Sequence, residues 1–470
     1  MVVGWFCRFH HLLRYLPAHG SVICIAVSFT TILEQFFLGQ PAHSVIVEVI
    51  AMGGWVVIAW LLIYAGLHLL ADYNSVKYKS TWEWVLLAID IPQMNVQTPK
   101  AVEQLFAHIF SIWEPPSIGI VYRRGYRREH YSFEIVSIEG YIQFLIRVRK
   151  KFRDVVEAAV YAQYPQAEIT EVEDYVESIP TKYPNETHNI WAAEYLLTQP
   201  SAFPIRMYKD FEHNISKDTV LKDPMGTLLE SFTRIGPGEQ VWFQLIVEPI
   251  AEKLWKGDAI KEIKKMIGEK TPAKKNILDS LIDNPLTKEL VHGTNEMLGQ
   301  ITGSEGGFAS ASAEKEKFDA PNQILYLTPG QKGLVEKMEE KISKVGFSSK
   351  IRLVYSGKKD VYKPSRAVNS FTGSMNQFND PFSNTILPKY MTSTQYMFAD
   401  ARKDFRRNVI MRGYKSRDIN IGKNPYVLNT EELATLWHFP MSHVATPLLQ
   451  KAKLKTAEPP SGLPVENLPL

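Results

Sequence analysis

Four carboxylates fall within seven residues at Glu171, Glu173, Asp174 and Glu177, a grouping suited to general acid–base work. Along a strand, however, Glu171, Glu173 and Glu177 share one face and Asp174 takes the other, which describes a solvated acidic face better than a paired site. His10 and His11 are of a type that ligates metal, yet beside an apolar N-terminal run they read as interfacial residues. A phosphate-cradling loop needs Gly-x-x-x-x-Gly-Lys-Ser/Thr, and Gly357-Lys358 and Gly422-Lys423 lack both the upstream glycine and the following hydroxyl. Neither His-Glu-x-x-His, paired cysteine ligands nor Gly-x-Ser-x-Gly occurs. No catalytic, cofactor-binding or metal-ligating residue is assigned, and the expectation is a protein that is not an enzyme.

Basic residues are the stronger signal. "RRGYRREHY" sets Arg123, Arg124, Arg127 and Arg128 among tyrosines, and "RKDFRRNVIMRGYKSR" carries Arg402, Lys403, Arg406, Arg407, Arg412 and Arg417 with interleaved aromatics. From Ser348 to Lys423 there are fifteen Lys/Arg against five Asp and no Glu. Such stretches suit phosphate contacts, either on anionic lipid or on nucleic acid with base stacking.

The elements that must carry these residues begin with an anchor. Ile50 to Leu70 is twenty-one residues without a formal charge, and at about 1.5 Å per residue it spans a hydrocarbon core of roughly 30 Å. Ser21 to Leu38 is a second apolar run that carries Glu34. With Arg8 and Arg14 before the first run, none in "GQPAHS" between them, and Lys77 and Lys79 after the second, charge predicts a hairpin with both ends inside. The expected location is a multi-pass protein of the cytoplasmic (inner) membrane, with both termini and the bulk of the chain in the cytoplasm. Cys7 and Cys24 are the only cysteines, both in or beside this apolar region, which excludes a disulfide-built scaffold for the rest.

After the anchor (1–75), periodicity predicts a strand at "WEWVLLAIDIP" and a helix opened by Thr98-Pro99. Two strands then meet at Glu139-Gly140, followed by a helix ended by Pro165 and a strand "AEITEVEDYV". That βαββαβ order over 80–180 predicts a ferredoxin-like unit. A second unit is predicted over 187–356, interrupted by a charged then Gly/Ser-rich linker at 255–321, with "NQILYLT" as its third strand and "SSKIRLVYS" as its last. A basic helical segment, 357–445, and a Pro-rich tail, 446–470, complete an α+β chain. In its last helix, 429–440, Asn429 caps, Glu432 stands at the third position, and Leu433, Leu436 and Trp437 form one apolar face before Phe439 and Pro440.

In this order, "YSFEIVSIEGYIQFLIRVRKKFRDVVEAAVYAQYPQAEITEVEDY", "DPMGTLLESFTRIGPGEQVWFQLIVEPI", "YVLNTEELATLWHFP" and "AEPPSGLP" resemble the membrane-anchored N-terminal module of type IV secretion/conjugation-like ATPases of the HerA–FtsK and TraC kind, as found in candidate-phylum bacteria. The resemblance covers about Ser80 to Pro464. It implies that the capped helix precedes a P-loop motor, which here would be a separate chain or a missing continuation. The expected function is a non-enzymatic, membrane-anchored docking subunit for such a secretion or DNA-translocation ATPase. Asn429, Glu432, Leu433, Leu436, Trp437, Phe439 and Pro440 would form its docking surface. The alternative is a membrane-tethered nucleic-acid-binding protein that delivers DNA to a pore. Expected partners are the bilayer, the motor, anionic lipid or DNA, and a second copy of the chain. No cofactor is expected.

Overall fold

The computed structural model describes residues 50–92, 95–113, 117, 119–120, 125–213, 220–221, 223–268, 327–394 and 397–441. The chain divides into two compact units, one of Met1–Thr81 with Pro116–Arg127 and one of Trp82–Pro115 with Arg128–Leu470.

In the first unit, helix α1 (Trp55–Ser80) follows a π-type turn, Ile50–Gly54. Its apolar side chains are largely exposed: Trp60, Leu62, Ile63 and Leu69 are each 61–71% exposed. Toward its end, Arg127 donates to Ser75 Oγ at 2.9 Å and pairs with Asp72 at 3.1 Å. Among the described residues α1 is the one helix long and apolar enough to cross a membrane, with a mean hydropathy of 1.8. This corrects the expected multi-pass anchor to a single candidate span. The run Ser21–Leu38 and the His10-His11 pair lie outside the described residues.

The second unit is mixed α+β, its described residues built on one antiparallel sheet of nine strands. Its strands in chain order are β1 (Trp84–Asp90), β2 (Tyr131–Ile138), β3 (Tyr141–Arg149), β4 (Glu168–Val172), β5 (His188–Leu197), then a separate two-strand ladder of β6 (Glu212–His213) and β7 (Val220–Leu221), then β8 (Glu239–Pro249), β9 (Gly346–Lys358), β10 (Ile386–Met391) and β11 (Tyr426–Asn429). They stand side by side as β10-β5-β9-β8-β2-β3-β1-β4, and β11 pairs with the start of β9 beyond the reach of β5. The helices are α2 (Pro99–Ser111), α3 (Arg153–Gln163), α4 (Pro224–Thr233), α5 (Glu252–Ile267), α6 (Pro329–Ser343), α7 (Pro364–Met375), α8 (Ala399–Ser416) and α9 (Thr430–Leu436).

Alternation along the strands sorts their side chains onto two faces. Phe133 and Ile135 of β2, Phe243 and Leu245 of β8, and Ile351 and Leu353 of β9 join the larger core, with Val102, Val160, Leu228, Phe371 and Trp437 from α2, α3, α4, α7 and the end of α9. The opposite face gathers Val136, Trp242 and Val354 beneath Ile410, Met411 and Tyr414 of α8. A third cluster lies around Trp255, Ile263 and Met338 of α5 and α6.

The second half of the sheet differs from the order expected for it. Residues 322–326 of "NQILYLT" lie outside the described residues, and Thr328 closes a capping box with Gln331 at the start of α6. "SSKIRLVYS" is not a last strand: β9 pairs with β5 on one side and β8 on the other. The next helix, α7, falls inside the basic segment expected to be helical, and so does the strand β10, which was not expected there. The Gly/Ser-rich stretch Gly303–Ala320 lies outside the described residues.

Candidate functional site

A polar row crosses the middle of the sheet under α8. Glu194 of β5 stands opposite Arg352 of β9, Arg352 opposite Gln244 of β8, and Gln244 opposite Glu134 of β2. All four side chains are completely buried. Each sits on the α8 side of its strand, so they meet one another rather than solvent.

Arg352 uses all five of its donors. Its Nε donates to Glu194 at 3.0 Å, its Nη1 to Gln244 and to the Gly413 carbonyl, and its Nη2 to the Asp418 and Ile421 carbonyls. Gly422, at φ 96°, lets the backbone pass over Glu194, where an added Cβ would stand 2.2 Å from the carboxylate. Glu134 accepts from Ser132 at 2.6 Å, Gln244 at 3.1 Å, Tyr175 at 2.7 Å, and both Nε and Nη2 of Arg417. Arg417 also grips Asp174 with two nitrogens. Burial pushes the Glu134 carboxyl up, but the Arg417 guanidinium and these hydrogen bonds outweigh it and hold the group below its usual range. The same opposition leaves Asp174 low. Every charge in the row is compensated and every strong donor is used, which makes it a lock that fixes α8 and the 418–423 loop to the sheet.

The capped helix has a second set of partners. Asn429 accepts from the Glu432 amide and Glu432 accepts from the Asn429 amide, forming the reciprocal capping box the sequence predicts. Glu432 pairs with Lys341 at 2.9 Å, both fully buried, and accepts from the Ile205 amide. His438 Nε2 lies 2.8 Å from Asp223, which also takes the Met225 and Met441 amides. Trp437 packs its ring against Phe133 at 4.9 Å and Phe439 at 5.0 Å.

These contacts correct the docking surface. Asn429, Glu432, Leu433, Leu436 and Trp437 are 0% exposed and Phe439 is 1%. Pro440 is buried too, its carbonyl taking Asn95 at 3.0 Å. Side chains enclosed by their own chain have no surface to offer a partner.

The basic stretch divides in the same way. Arg417 is buried, and Arg406 donates to the Met391 carbonyl and lies over Tyr390. Arg407 pairs with Asp404 at 3.0 Å and Lys403 with Asp400 at 3.3 Å. Arg402 and Arg412 remain on the outer face of α8. Arg127 is paired within the first unit as described, Arg128 is half-buried, and Arg123 and Arg124 lie outside the described residues. Of the acidic group, Asp174 turns away from Glu171 and Glu173 and reaches Arg417, whereas Glu171 meets Arg153 at 2.6 Å on the surface.

Sequence reasoning passed over Glu134, Glu194, Gln244 and Arg352. The signal was a long polar side chain in the middle of each of four strands rich in apolar residues, two acids and one arginine among them.

The chain belongs to the family described as Domain of unknown function (DUF8128), whose model matches residues 72–452. No curated protein matches it.

Proposed function

We propose that the chain is a non-enzymatic, membrane-tethered docking subunit serving a P-loop motor of the type IV secretion or DNA-translocation kind. The observation that carries the tether is α1, whose tryptophans, leucines and valines stand in the open while its window of highest hydropathy has no buried share. An exposed apolar surface of that length in water is costly, and in a bilayer it is satisfied. The reading of the rest as two ferredoxin-like units draws support from the strand order, since β4-β1-β3-β2 and β10-β5-β9-β8 repeat one arrangement, fourth-first-third-second. The saturation of the charges in the row beneath α8 fits a rigid frame better than a reacting centre.

The DNA-delivery alternative is weakened, because Arg417, Arg406 and Arg407 are committed to groups within the chain. The experiment is detergent extraction of the full chain with the P-loop protein of the neighbouring reading frame. The proposal expects co-purification, retention in carbonate-washed membranes, and no ATP turnover by the chain alone. Turnover lost on a point change in this chain, or release by carbonate, overturns it.

A further inference from the structure

The outer face of α8 presents a stripe with no partner. Phe398, Arg402, Phe405, Val409 and Arg412 recur at intervals of four and three, and so lie along one side of the helix. Ile410, Met411 and Tyr414 face the sheet instead. Phe398 is 78% exposed, Phe405 66%, and the preceding Met397 78%. Arg402 and Arg412 are exposed and make no side-chain hydrogen bond or ion pair among the described residues. Phe398 also holds φ 58° and ψ 41°, a conformation unfavourable for a bulky side chain, and no packing around its ring compensates for it.

We propose that this stripe docks on an anionic bilayer surface, a reading that rests on the membrane tether argued above. Charge and shape select that occupant. Between Ala399 and Ser416 there are six Lys/Arg against two Asp, and both aspartates are already engaged by Lys403 and Arg407. The two unengaged arginines alternate with two phenylalanines. Rings that enter the headgroup boundary while flanking guanidinium groups meet lipid phosphates satisfy both kinds of side chain at once. Each basic group near an anionic leaflet strengthens binding about fivefold. β1 begins four residues after α1 ends, so in a tethered chain docking of this stripe is an intramolecular step.

The test uses the full chain with Cys7→Ser, Cys24→Ser and Phe405→Cys, labelled at that cysteine with an environment-sensitive fluorophore. It is reconstituted into phosphatidylcholine vesicles with or without phosphatidylglycerol. Docking predicts a blue shift and quenching by brominated lipid in the anionic vesicles only, reversed by salt. Arg402→Gln and Arg412→Gln, both at exposed positions, should each lower the docked-to-undocked ratio about fivefold. A probe that stays in water in both vesicles overturns the proposal. So does a shift given by DNA and not by anionic lipid. Release of the chain by carbonate would remove the tether reading instead, and adding the labelled chain to preformed vesicles then judges the stripe by the same anionic dependence.

Discussion

Lys350 neighbours Arg352 on the polar face of β9, wholly buried, with Glu194 3.9 Å away and the Ile421 carbonyl at 2.9 Å. Burial pushes its amine down to about 8 from the usual 10.5, more than the attraction of Glu194 restores. The lysine is therefore not what holds this region. Glu194 keeps Arg352 and the Lys423 amide, and Ile421 keeps Arg352. Lys350→Met should leave stability unchanged or raise it by about 1 kcal/mol at neutral pH. Because the folded value lies below the free one, wild-type stability rises with pH between about 8 and 10.5. The variant should lose up to one proton's share of that slope, about 1.4 kcal/mol per pH unit. Urea midpoints at pH 7, 9 and 10 measure both. Arg417 is the opposite case. Arg417→Met leaves Glu134 buried without its cation and should cost about 3–5 kcal/mol at pH 7. Glu134 and Asp174 are both held low in the wild type, so their stabilisation is complete above the free values of 4.5 and 3.8 and is lost as pH falls through the folded ones. Acid should thus narrow the gap between wild type and variant. Trp437→Ala removes a ring enclosed by Phe133, Phe144 and Phe439 and should cost about 3–5 kcal/mol, measured on the chain alone.

Helix α9 has seven residues, too few to persist by propensity, so its stability must come from what surrounds it. The capping box is the smaller part: Asn429→Ala should cost about 1 kcal/mol. Glu432→Gln should cost more, about 3 kcal/mol, since it strands the buried Lys341 ammonium. Burial already pushes Lys341 below its usual 10.5, and loss of Glu432 pushes it further, so this deficit should shrink as pH is raised toward that free value. A deficit independent of pH would deny the pairing. The cap and the apolar residues of this helix were legible in the sequence, because they are set by neighbours three and four residues apart, but its stop was not: the helix expected to run to Pro440 ends at Leu436, and Trp437 is already extended. What the face packs against was not, since Phe133 and Phe144 lie some three hundred residues upstream. The same limit explains the misplaced strands. β9 is predicted well as a strand, but whether it is central or terminal depends on pairing with β5 and β8. β10 was missed because "ILPKYM" reads poorly as a strand. Pro388, Lys389 and the register shift between Pro388 and Tyr390 keep that edge from recruiting another strand. The opposite edge, β4, is mostly exposed and carries Glu168 and Glu171 to the same effect.

The sheet is continuous across the two halves of the second unit, through eight matched positions from Tyr131 opposite Val247 to Ile138 opposite Gln240. The C-terminal segment bridges those halves a second time. β11 adds to β9 of the second half, while Trp437 and Phe439 enter the aromatic cluster of Phe133, Phe144 and Tyr164 in the first. Among the described residues the main core draws its buried members from the second unit itself. A chain begun at Trp82 should therefore stay in solution without detergent and unfold in urea as one cooperative transition, with tryptophan fluorescence and far-UV circular dichroism giving the same midpoint. Ending that chain at Asn424 removes β11, α9 and the tryptophan together. It opens the apolar faces of both halves at once and strands Asp223 and Lys341. The truncated form should then show no cooperative transition at all. If instead it melts in two steps, with one near the midpoint of the longer fragment, the halves are independent domains and the bridging role of the 426–441 segment is refuted.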